Sequence, residues 1–205
     1  MNPIIFVHGN IVDSSCWNSI LEYFLEEGIP GSKLWTIDFD NVGEPHDSMA
    51  EQLEEFVDRV LKKTEASEVQ LIGHSLGATG IRYWMESYDR YDAVETVIYM
   101  AGAIHGTYMC LLEDWFDDEI TEPCQRISVD AMNRGNLLSD LNEGDETPGD
   151  VDYYTIRASC DRYFLMNPTS PKLKGANENV TIFTTHRGLL QNSKVKRKLV
   201  EWTSD

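Results

Sequence analysis

Leu71-Ile-Gly-His-Ser-Leu-Gly77 runs an apolar strand end straight into a G-x-S-x-G turn, and this stretch decides the fold. Glu68–Ile72 is strand-like and Ala78–Ser87 is helix-like. The motif therefore falls on a sharp strand-to-helix turn that lifts Ser75 clear of a sheet. Gly73 and Gly77 flank the serine where side chains would collide with crowded backbone. The positive end of the new helix lies beneath Ser75, leaving the Leu76 amide to donate toward a developing oxyanion. A flexible glycine turn without chemistry would show the same five residues. The strand before and the helix after favour a nucleophile.

Outward from this turn, strand patterns alternate with amphipathic helical ones, and no internal repeat appears. Strands are expected at Ile4–Val7, Leu34–Asp38, Val69–Ile72, Thr96–Met100, Tyr153–Ala158 and Val180–Thr184. Helices are expected at about Cys16–Glu27, Ser48–Thr64, Ala78–Tyr88 and Leu189–Trp202, with Ser48 and Glu51 forming a capping box for the second. The order implies an α/β fold of about six mostly parallel strands with helices on both faces. Ligands in such sheets meet the carboxyl ends of the strands, where Ser75 falls. Residues 104–150 break the rhythm and end in the turn-rich Asn142-Glu-Gly-Asp-Glu-Thr-Pro-Gly149. They read as an excursion from one domain spanning residues 1–205.

The 205 residues carry a formal charge of −18, which argues against a nucleic-acid partner because no basic face exists to neutralise phosphates. The acidity reads either as a well-solvated surface or as adaptation to high salt. No apolar run is long enough to cross a bilayer. The N-terminus lacks a basic segment followed by a hydrophobic signal region, so either the protein stays inside the cell or a leader has been cut away. Cys16, Cys110, Cys124 and Cys160 have no C-x-x-C spacing. Cys110 and Cys124 could close the excursion as a disulfide, which would favour an extracellular home; four separate buried thiols is the alternative. Asn179-Val-Thr matches a glycosylation acceptor but opens a strand, which reads as coincidence.

A serine nucleophile needs a base, and five histidines are available. His8 and His74 sit inside turns with other work to do, and His46 precedes the nucleophile. In the order serine, acid, histidine, the base belongs on the loop after the final strand, where His186 lies in Thr184-Thr-His-Arg-Gly-Leu-Leu190. His105 is the alternative, and it reads better as a loop histidine satisfied by nearby backbone. The acid should follow a strand's carboxyl end, as Asp161 does in Ala158-Ser-Cys-Asp161, while Asp150 and Asp152 stand at the wrong end of that strand. Such a carboxylate would fix the imidazole tautomer and steady the imidazolium. After the first strand, Val7-His-Gly-Asn10 makes a second glycine turn at the same sheet edge. The Asn10 amide is the expected partner of Leu76 in an oxyanion hole.

Asn2-Pro-Ile-Ile-Phe-Val-His-Gly9, Gly73-His-Ser-Leu-Gly77, Ala158-Ser-Cys-Asp161 and His186-Arg-Gly-Leu-Leu190 together resemble the small class 2 lipases, the lipase A type of α/β-hydrolase. The likeness extends over nearly the whole chain and keeps the motifs in order. It implies a minimal hydrolase fold and a carboxylic-ester hydrolase with Ser75 as nucleophile, Asp161 as acid and His186 as base. It also implies oxyanion amides at Asn10 and Leu76, no metal or organic cofactor, and secretion. The stretch Ile104–Val151 is much longer than in the smallest members. Met109, Leu111, Leu112, Trp115, Phe116 and Ile120 form an apolar series there, expected to make a partial cap or acyl-binding wall, with a packed surface helix as the alternative.

Expected substrates are uncharged esters with an apolar acyl chain, from short-chain esters to triglycerides and aliphatic polyesters, with transient contact at a lipid interface. A polyester depolymerase, thioesterase or acyltransferase would use the same acyl-enzyme. A receptor that keeps the triad without turnover is the reading from outside enzymology. No sequence signal fixes an oligomeric state.

Overall fold

The β-branched and aromatic runs become strands, and the central ones are buried on both faces. The structure is a computed structural model describing residues 1–41, 44–108 and 137–204. Six strands are seen among them: β1 (Ile4–Val7), β2 (Leu34–Ile37), β3 (Val69–His74), β4 (Val94–Met100), β5 (Asp152–Ala158) and β6 (Glu178–Ile182). They form one sheet in the order β2-β1-β3-β4-β5-β6, and every neighbouring pair is parallel. The chain leaves β1 for the β2 edge and returns across it to β3. The strand order therefore reverses between β1 and β3, which opens a crevice at their carboxyl ends.

Both faces are covered, so β1 reads as a continuous apolar run and is buried throughout. Ile4 and Phe6 join Ile72, Ile98 and Ile156 on one face, under α1 (Asn18–Glu26) and α5 (Ser193–Ser204). Ile5 and Val7 join Leu71, Val97 and Tyr99 on the other, under α2 (His46–Thr64) and α3 (Leu76–Ser87). Phe6 packs its ring 5.3 Å from Trp17 and 5.6 Å from Phe24. Truncating such a side chain to alanine costs about 3–5 kcal/mol.

Several expected boundaries move. Helix α2 begins at His46 on a Pro45 cap, with φ −60° and ψ 149°, so Ser48 lies inside the helix and no capping box forms. Its hydroxyl instead accepts from Gln52 Nε2. Pro45 presets the entry and has no amide to leave unpaired, which puts the start two residues earlier. The last helical stretch is split at Asn192: a 3-10 turn over Arg187–Gln191 precedes α5, and the Asn192 side-chain Oδ1 accepts from the Lys194 amide. An asparagine at a cap outcompetes continuation through it. Strand β6 spans Glu178–Ile182 rather than Val180–Thr184. The Asn179 side chain within it is held by Thr155 and Leu173.

Between β4 and β5 the described residues carry no strand, only the short α4 (Leu137–Leu141). The two roots of this excursion are fastened together. Asn142 Nδ2 donates to the Ile104 carbonyl, and His105 Nε2 lies 3.1 Å from Glu146 Oε1. The buried Arg82 of α3 donates to the Leu141 carbonyl and to Asn142 Oδ1. The proposed cap Met109–Ile120 and the Cys110–Cys124 pair lie outside the described residues. Cys16 and Cys160 are free thiols, and Cys160 is exposed rather than buried.

Candidate active site

Ser75 sits at the carboxyl end of β3 with φ 57° and ψ −122°, a conformation that non-glycine residues rarely adopt. Holding a residue there costs about 1–3 kcal/mol, which the surrounding packing must supply. Two backbone bonds hold the turn: the Ser75 amide donates to Met100 O on β4 (2.8 Å), and its carbonyl accepts from Ala78 N (3.1 Å). The flanking glycines are there for closeness. A Cβ on Gly77 would lie 2.5 Å from the His8 carbonyl, and one on Gly73 would lie 2.9 Å from the Ala78 amide. Helix α3 can start this near β1 only without those side chains.

Asp161 follows β5 and His186 follows β6, and the structure brings them together. His186 Nδ1 lies 2.7 Å from Asp161 Oδ2, and the other carboxylate oxygen accepts from the Tyr163 amide at 3.0 Å. Asp161 is 3 % exposed, so both oxygens are occupied away from water. The carboxylate requires a proton on Nδ1, leaving the Nε2 lone pair as the basic position. Tyr163 holds the imidazole edge-on at 4.7 Å.

His74, immediately before the serine, has a part that sequence reading missed. It is buried and its Nε2 donates to the His186 carbonyl at 3.2 Å, with the two rings 4.7 Å apart. Burial, and then the neighbouring His186, push its pKa down to about 3, so the ring stays neutral beside the Asp161–His186 pair. A histidine at a buried strand end was the available signal. The other histidines are placed elsewhere. His105 contacts Glu146 and the Ser170 carbonyl, as a loop pin rather than a base, and His46 lies 2.9 Å from Thr79 Oγ1.

Ser75, His186, Asn10 and Leu76 line one cavity of about 410 Å³ in the β1/β3 crevice. Among the described residues no backbone carbonyl accepts from the amides of Asn10 or Leu76. Cys16, Ala101, Ala103, Phe164 and Leu190 give the cavity an apolar wall. Burial, with Asp13 and Asp38 nearby, raises the Cys16 thiol to about 12, so it stays protonated and poorly nucleophilic. No cluster suited to a metal ion is found among the described residues, and no helix there is long and apolar enough to cross a membrane.

The profile of the lipase (class 2) family matches residues 1–196. Among solved structures, the mature lipase BlEst2 of Bacillus licheniformis is similar with a TM-score of 0.78 at 17% identity, over 98% of this chain and 90% of that one. Lipase B of Aspergillus fumigatus gives 0.77 at 14% identity, over 100% of this chain and 52% of its own. A bromoperoxidase from Bacillus anthracis gives 0.68 at 15% identity, over 100% and 92%. Likenesses this distant in sequence speak for the α/β-hydrolase fold and leave the chemistry to the site.

Proposed function

The chain belongs to the class 2 lipase family, whose chemistry is the hydrolysis of ester bonds, and from that premise we propose that Ser75, His186 and Asp161 act as a catalytic triad through an acyl-serine. The observation that carries the proposal is the buried Asp161–His186 bond of 2.7 Å, opening on the cavity that Ser75 lines from its strained turn. His186 Nε2 takes the hydroxyl proton as Ser75 Oγ attacks the ester carbonyl. The oxyanion lies against the Asn10 and Leu76 amides, each worth roughly 3 kcal/mol of barrier. Collapse passes the proton to the leaving alcohol. Water activated by the same imidazole then releases the acid and restores the serine. His186 must become cationic in both steps, and Asp161 steadies that charge.

The apolar wall supports an apolar acyl chain as the group bound beside Ser75. Labelling with an organophosphate followed by peptide mapping tests the proposal. Modification is expected at Ser75, absent in Ser75→Ala and strongly slowed in His186→Ala. An unmodified Ser75 in an enzyme that still turns over esters would refute it.

A further inference from the structure

The catalytic cavity has a charge character opposite to that of the chain. Acidic residues outnumber basic ones 35 to 17, yet among the described residues no carboxylate side chain lines the cavity. Its one permanently charged lining residue is Arg187, next to the base. Arg187 is exposed and has no ion pair or hydrogen bond among the described residues. Gln191, at the far end of the same 3-10 turn, lines the cavity too.

A guanidinium is a planar fork of donors matched to carboxylate and phosphate oxygens. The overall charge of −18 repels anions at a distance, so such recognition works only at close range.

Resting on the reading of Ser75 as nucleophile, we infer that the cavity takes esters bearing a second, anionic group, which Arg187 binds, with Gln191 of the same 3-10 turn as a further donor. The group is a carboxylate or a phosphate. The acyl wall of Cys16, Ala101, Ala103 and Leu190 keeps its apolar role.

Two matched pairs test this: p-nitrophenyl valerate against mono-p-nitrophenyl glutarate, and tributanoylglycerol against dibutanoylglycerol phosphate. For an exposed guanidinium, the anionic-to-neutral ratio of kcat/KM should fall about fivefold in Arg187→Gln. Arg187→Lys should keep part of it, since a point charge survives without the fork. Raising salt to about 1 M, where the screening length is roughly 3 Å, should narrow the difference in this ratio between wild type and Arg187→Gln. A preference confined to the first pair assigns a carboxylate, and one confined to the second a phosphate. Equal ratios in wild type and Arg187→Gln for both pairs overturn the inference. Titration of the same esters onto Ser75→Ala, with and without Arg187→Gln, reads the preference without turnover. Failure of the wild type to hydrolyse any of the four esters counts against the Ser75 reading alone.

Discussion

Replacing His74 with glutamine should flatten the acid side of the stability curve. A free imidazole takes up its proton near pH 6.5, whereas the buried ring resists it down to about 3. Below pH 6.5 the unfolded chain binds a proton that the folded chain refuses, so stability is lost as the pH falls through that window. The slope is about 1.4 kcal/mol per pH unit, and between pH 7 and 5 the loss is about 2 kcal/mol. At pH 5 the folded ring lies two units above its own titration, so the figure depends chiefly on the unfolded value. Against a total stability of roughly 5–15 kcal/mol this is a large share. Glutamine keeps a donor that can reach the His186 carbonyl and does not titrate. Urea denaturation of both proteins from pH 7.5 to 5 reads the difference. His74→Gln should gain about 2 kcal/mol relative to wild type over that range, whatever its offset at neutral pH. Parallel profiles would refute the claim that this ring is held neutral.

Three further outcomes are expected. Asp161→Asn should keep the fold and lower kcat on chromogenic esters by roughly 10⁴-fold, because an amide no longer demands a proton on Nδ1. Gly77→Ala should cost about 1–3 kcal/mol in urea midpoints and reduce activity with it, since the new methyl meets the Val7 and His8 carbonyls. Ser75→Gly should be more stable than Ser75→Ala by about 1 kcal/mol in thermal melts, because glycine adopts φ 57° without strain.

The sheet was legible because β1 is an unbroken apolar run, β3 and β4 are mostly apolar, and the turn residues after β1 and β3 stand at fixed offsets. That Asp161 and His186 would meet was legible from their order relative to Ser75 and their places after strands. Helix ends were harder, since they depend on competing local bonds. Ser48 looked like a cap until Pro45 started the helix ahead of it, and Asn192 interrupts a pattern whose apolar spacing runs on. His74 was opaque for another reason. Its role comes from a carbonyl 112 positions away in sequence, and no local pattern records a contact at that separation.

The fastened roots of the β4–β5 excursion bear on how such a chain can be remodelled. With His105 against Glu146 and Asn142 against Ile104, the segment leaves and rejoins the body through one stapled gate. Closure entropy rises only slowly with loop length, by about 0.6 kcal/mol per doubling. The gate therefore works as a grafting port: shorter or longer passages between positions 108 and 137 should be exchangeable while the strands beneath keep their pairing.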